Sequence, residues 1–249
     1  MKKDASRLDA ALVARGLAAS RERARAIILA GQVRVNGAVV SKAGAPVDDR
    51  ADITLIEPDH PYVGRGGVKL AHALDVFDID VSGRLALDVG ASTGGFTDVL
   101  LRRGAPRVVA LDVGHGQLDW RLRSDPRVVV IERVNARLLT PEQLPEDARR
   151  FAIVTMDLSF ISVRQVLPAI VPVLAPGADL VVLVKPQFEA GRDEVGKGGL
   201  VRDAVVHTRV VADVAAAADA LGLTRIAMTE SPITGTEGNR EFFLHLRRA

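Results

Sequence analysis

The stretch LALDVGASTGGFTDVLL, residues 85–101, decides how the rest of the chain reads. It opens with a short apolar run, Leu85–Val89, of the length of a buried strand. A helical stretch follows Gly94. Between the two lies a glycine-rich turn, where a bare backbone can come close to a ligand, or to a neighbouring element, at a helix N-terminus. Strand, turn and helix in this order form the opening unit of an open sheet covered by helices.

The unit repeats downstream. Further apolar runs lie at Val108–Val113, Val128–Glu132, Ile153–Asp157, Leu180–Lys185, Ile226–Thr229 and Glu241–Leu246. Helical stretches fall around Ser162–Leu174 and from Asp203 to Leu221. The expected fold is α/β, a mostly parallel seven-stranded sheet whose ligands gather at the carboxyl ends of its strands. The glycine spacing is not that of the dinucleotide fingerprint, and the turn carries no Walker lysine, which argues against nicotinamide dinucleotides and ATP. Asp112 ends the second strand 22 residues beyond Gly90, where an acid can hold ribose hydroxyls.

The 249 residues suit one large domain with a smaller one beside it. Cysteine is absent, which excludes disulfides, thiolate metal sites and a cysteine nucleophile. Histidines at 60, 72, 115, 207 and 245 show no metal-ligand spacing, so no metal is expected. The opening MKKDASRLDAALVARG lacks the apolar core of a signal peptide. The most apolar long window, Val166–Val184, is broken by Pro168, Pro172, Pro176, Gly177 and Asp179. No membrane association is expected, and the expected location is the cytoplasm.

Charge is unevenly spread. Residues 1–50 carry a balance of +5 within a total of +2, leaving the remainder at −3. A basic head on an acidic body points to a polyanionic partner. The head reads as a helix from about Ser6 to Arg15, a second helix capped by Ser20 and ended by Gly31, and a hairpin, VRVNGAVV, turning at Asn36-Gly37. Pro46 to Ile56 adds one short strand. The expected division is 1–58, a linker at 59–62, and 63–249.

The motifs carry family resemblances. Arg7-Leu8-Asp9, Ser20-Arg21-x-x-Ala24 and Gly31-x-Val33-x-Val35-Asn36-Gly37 resemble the S4 RNA-binding domain. That implies contact with structured RNA, with Arg7, Arg21, Arg23 and Arg25 as candidates. The turn, with Asp88, Gly90, Ser92, Gly94, Gly95, Phe96, Asp112 and then Asn135 and Asp157, resembles the S-adenosylmethionine site of class I methyltransferases. The fourth strand ends in MDLSF, not in the (Asn/Asp)-Pro-Pro-(Phe/Tyr) signature of amino-group methyltransferases. With no cysteine for pyrimidine carbon chemistry, oxygen leads as methyl acceptor. Lys69, Asp157, Lys185 and Glu241, in RGGVKL, MDLSF, LVKPQFE and GNREFF, resemble the catalytic set of the FtsJ-like RNA ribose 2′-O-methyltransferases. Arg65 in the first of these motifs is a further RNA candidate. Head and body together resemble the TlyA family, once described as haemolysins. The resemblance implies methylation of cytidine ribose in ribosomal RNA, of the small (16S) subunit, the large (23S) subunit or both, with rRNA or ribosomal subunits as partners.

In that reading Lys185 either takes the proton of the 2′-hydroxyl or steadies the oxygen left behind. Asp157 orients it, and Lys69 and Glu241 position the nucleotide. The glycine-rich segment Glu189–Asp203 is expected to be a mobile loop over the RNA, with Arg192 and Lys197 at phosphates. Competing readings are a non-catalytic RNA-binding assembly factor, a membrane-active haemolysin, and methylation of a base.

Overall fold

A computed structural model of the chain describes residues 5–18, 20–29, 31–56, 60–235 and 238–249. Contacts divide it into two units, residues 1–61 and 62–249. The expected linker starts at Asp59, outside the described residues.

The first unit runs β1 (Ala5–Arg7), α1 (Leu8–Ala14), α2 (Arg21–Leu29), β2 (Val33–Val35), β3 (Ala38–Val39), β4 (Pro46–Asp48) and β5 (Ile53–Leu55). Its core packs Leu8, Leu12, Ala24, Ile27, Ile28, Val33 and Ile53. The turn between β2 and β3 places Asn36 at φ +50° and Gly37 at φ +81°, as a type I′ hairpin requires. Two expectations are corrected. The first helix starts at Leu8, because Ala5–Arg7 pairs antiparallel with Pro46–Asp48 instead of coiling. The single strand expected at 46–56 is two, split where Asp48 turns the chain by accepting the N–H of Arg50 (2.9 Å).

The second unit begins with α3 (Gly66–Val76) and continues as β6 (Ala86–Val89), α4 (Gly95–Arg102), β7 (Val108–Leu111), α5 (Trp120–Arg123), β8 (Val128–Ile131), β9 (Phe151–Asp157), α6 (Val163–Ile170), β10 (Leu174–Val184), α7 (Pro186–Glu189), α8 (Ala204–Asp219), β11 (Leu223–Glu230) and β12 (Phe242–Arg248). The sheet order is β11-β12-β10-β9-β6-β7-β8. β12 runs antiparallel to both of its neighbours, β10 on one side and β11 on the other. The strands are apolar on both faces because helices cover both, and one core lies on each side of the sheet. β10 starts at Leu174, earlier than its apolar run, and its register against β9 shifts between Leu174 and Asp179, across Pro176 and Gly177. Ser162 caps α6 through the N–H of Arg164 and is not part of it.

Register decides what meets at the carboxyl edge. Asp157 on β9 pairs with Leu183 on β10, and Leu183 pairs with Phe243 on β12. Val184 pairs with Phe242, so the next residues outward, Lys185 and Glu241, leave the sheet side by side.

Candidate active site

Four charged side chains collect at this edge as two pairs. Lys185 Nζ lies 2.7 Å from Asp157 Oδ1 and donates to Ser159 Oγ at 3.0 Å. Its side chain is 12% exposed, so the head group sits at the mouth of the site and not in bulk water. Lys69, one turn into α3, reaches across to Glu241 Oε2 at 2.5 Å. Both members of this second pair are buried. Lys69 is therefore not a surface helix lysine, and Glu241 does not serve Arg240, which pairs with Glu230 instead. Gly235 makes room for the Glu241 carboxylate, since a Cβ there would meet Oε1 at 2.6 Å.

Beside the pairs opens a cleft of about 490 Å³, within the usual range of small-molecule sites. Of the residues expected at the cofactor, Gly90, Ser92, Asp112, Asn135 and Asp157 line it. Gly90 sits at φ +85° with its Cα against the carbonyl of Asp157, where a Cβ would stand 2.2 Å from that oxygen. No other residue fits. Asp112 is oriented by the N–H groups of Ser92 (2.8 Å) and Gly114 (2.6 Å), which leaves each carboxylate oxygen able to accept again. Asn135 caps a short 3-10 turn at Ala136–Leu138.

The other expected cofactor residues lie behind the cleft. Phe96 is buried against Phe243, with ring centroids 6.1 Å apart. Gly94 faces Leu122 of α5, and Gly95 lets α4 touch the backbone of α3 at Gly66 and Gly67. These glycines serve packing between elements. Asp88 is fully buried and accepts from Thr97 Oγ1 (2.7 Å) and Thr155 Oγ1 (3.0 Å), tying α4 and β9 to β6. Burial pushes its carboxyl up to about 7 against these two hydrogen bonds, and the nearby Asp157 charge adds to the rise. The turn is also held from α5, where the N–H of Asp119 donates to the carbonyl of Thr93 (3.1 Å). Trp120 follows, 61% exposed.

Several residues of the site were not singled out by pattern. Phe160 is 91% exposed at φ +65°, an unusual backbone for a large aromatic residue, and its ring meets Phe188 at 5.3 Å on the rim of the cleft. Gln117 also lines the cleft. Asn239, 1% exposed, accepts from Val201 N (2.9 Å) and donates to Gly199 O (2.8 Å). Glu189 is buried, accepting from Ser162 Oγ (2.6 Å) and Val163 N (2.6 Å). The expected mobile loop Glu189–Asp203 is thus fastened near both ends, and Val201 packs on Val206 and Val210. Arg192 and Lys197 are exposed on it. Arg65 donates to the carbonyl of Thr234 (2.9 Å) from an exposed position. In the first unit Arg7, Arg21 and Arg25 all point at Asp9.

A seven-stranded sheet of this order, with its cleft at the turn after the first strand and an acid closing the second, defines a Rossmann-like methyltransferase. Residues 62–248 match the FtsJ-like methyltransferase family and residues 6–53 the S4 domain. The chain belongs to the FtsJ-like methyltransferase family. It is 51% identical to the 16S/23S rRNA (cytidine-2′-O)-methyltransferase TlyA of Mycobacterium tuberculosis, over 97% of this chain and 90% of that protein. It is 41% identical to Hemolysin A of Brachyspira hyodysenteriae, over 96% and 98%. A solved structure of a hemolysin candidate from Streptococcus thermophilus superposes with a TM-score of 0.76 at 41% identity, covering 99% of this chain and 90% of that one. Among the described residues no helix is long and apolar enough to cross a membrane.

Proposed function

We propose that this chain transfers the methyl group of S-adenosylmethionine to the ribose 2′-hydroxyl of a cytidine in ribosomal RNA, in the cytoplasm. The observation that carries this reading is the meeting of two lysine–carboxylate pairs at one sheet edge, beside a cleft suited to the cofactor. The name of the M. tuberculosis relative supports the choice of nucleoside, of position, and of one or both subunits as targets.

The residues present fit the cofactor. Asp112 offers acceptors for two ribose hydroxyls, Gly90 leaves its backbone bare, and Asn135 lies on the cleft wall with the apolar Val134 and Ile161. When bound, S-adenosylmethionine supplies an electrophilic methyl group on a sulfonium centre. Lys185 stands at the 2′-oxygen, held there by Asp157 and Ser159. Lys69 and Glu241 hold the sugar side of the nucleotide, and the buried pair fixes their geometry. Proximity and alignment account for much of the acceleration, because a hydroxyl held in line needs no further ordering.

Replacing Lys185 with alanine lowers transfer at least about 100-fold with cofactor and RNA still bound. Near wild-type transfer in Lys185→Ala would overturn the assignment. Lys185→Arg keeps the positive charge and cannot act as a base. Activity within tenfold of wild type assigns stabilisation of the oxygen; a loss equal to that of alanine assigns proton removal. The methylated RNA yields nuclease-resistant dinucleotides, whereas methylation of a base would leave every linkage cleavable.

A further inference from the structure

The basic head holds an arrangement that neither packing nor the methyl-transfer site explains. Asp9 in the first turn of α1 is wholly buried, yet it collects three guanidinium groups. Arg7 binds it through two nitrogens, Nε and Nη2, both at 3.0 Å. Arg21 Nη2 approaches at 3.3 Å and Arg25 Nε at 3.2 Å. One fork of this kind already balances the charge of a carboxylate, so charge neutrality asks for one arginine. Three leave a surplus of two positive charges in the cluster.

The three side chains are 53%, 55% and 55% exposed, so each shows about half of its surface to solvent. They are also held in place. Arg7 ends β1, whose backbone is fixed by pairing with Pro46. Arg21 and Arg25 lie one turn apart on one face of α2. A guanidinium has five N–H donors, and Asp9 engages only the inward ones of each. Arg7 Nη1 lies beside Gly44, and the remaining donors of Arg21 and Arg25 belong to side chains more than half exposed. Arg7 hydrogen bonding holds the Asp9 carboxyl far below the usual carboxylate range, so the hub keeps its charge.

We propose that Asp9 is a positioning residue that gathers Arg7, Arg21 and Arg25 into one preformed cluster for the phosphate backbone of a folded RNA. The proposal rests on the reading of this chain as an RNA methyltransferase with an S4 head. Each arginine otherwise has to give up side-chain freedom on binding, and a cluster ordered beforehand has already done so.

The sign of one substitution separates positioning from charge. Asp9→Asn removes a negative charge from the RNA-facing unit. If charge alone governed binding, RNA would bind more tightly. If Asp9 positions the arginines, the amide can accept from one at most and its NH2 repels the others, and affinity for ribosomal RNA falls about tenfold. Binding is measured by titration of the full chain, alongside its thermal melt. The same substitution is made in an Arg7→Ala, Arg21→Ala, Arg25→Ala background at low salt. Acting through the arginines, it changes affinity there by less than twofold. Unchanged or tighter binding in the first background, or an equal loss in both, overturns the proposal. Where Asp9→Asn unfolds the head, Arg7→Lys serves instead: it keeps the charge, loses the fork, and is expected to weaken binding several-fold, and undiminished affinity overturns the proposal. If the wild-type chain itself fails to bind ribosomal RNA, the functional reading falls first and takes the hub with it; if it binds and the variants match it, only the hub falls.

Discussion

The buried Lys69–Glu241 pair does two jobs that pull in different directions. Two charges in a low-dielectric setting cost desolvation, and only their mutual geometry offsets it. Breaking such a pair from one side leaves an uncompensated charge, so Glu241→Gln is expected to lower stability by about 3 kcal/mol or more. A melt of the second unit checks this, and transfer should fall with it because Lys69 loses its fixed position. Asp88 gives a second prediction, on pH. Its native carboxyl keeps a proton up to about pH 7, whereas an unfolded aspartate releases it near pH 4. Between those values the folded state binds more protons, so stability declines as pH rises through the window. Asp88→Asn removes the titration, and the fall in melting temperature from pH 5 to pH 8 should flatten; an unchanged slope would locate the effect elsewhere. Asp157, Lys185 and Glu241 were legible in the sequence as charged residues at strand ends, and Lys69 through the resemblance of RGGVKL to the FtsJ-like motif. Their pairing was not, since it depends on which strands are neighbours. Phe96 misled for a related reason: it follows the turn in sequence, but the helical period directs its ring into the core.

Elements, not single groups, fix where these residues stand. Gly95 is the contact through which α4 seats against α3, the helix that carries Lys69. A methyl at Gly95 would lie 2.8 Å from the Gly67 nitrogen and 3.1 Å from the Gly66 Cα, and backbone cannot yield as a flexible side chain can. Gly95→Ala is expected to cost about 1–3 kcal/mol and to shift Lys69, lowering transfer more than cofactor affinity. A loss confined to cofactor affinity would contradict that assignment. The sequence placed every strand of the large sheet because apolar runs and helical stretches alternate so regularly. It misplaced ends wherever a tertiary partner intervenes. The first helix starts late because a distant strand claims Ala5–Arg7. The 46–56 segment breaks in two at an aspartate turn. The Glu189–Asp203 stretch looked free from its glycines, but one amide on Asn239, far along the chain, fastens it.

At the scale of the molecule, the charge division is the informative feature. The first fifty residues hold a surplus of positive charge within a chain that is otherwise slightly acidic. Each phosphate neutralised contributes to the salt dependence of binding, and three such contacts give a log–log slope of roughly −2. RNA affinity is therefore expected to fall about tenfold or more between 50 and 200 mM salt. Cofactor affinity, set by hydrogen bonds and packing in the cleft and not by phosphate contacts, should change far less over the same range. Paired titrations check both, and parallel losses would count against separate roles for the two units. The glycine turn also offers an optical handle. The chain holds one tryptophan, Trp120, next to the residue whose N–H secures Thr93 of that turn. Its indole is open to water, so its emission reports on the turn without any label. Adding cofactor to the purified protein should change that emission, and the change can be followed in real time as binding proceeds.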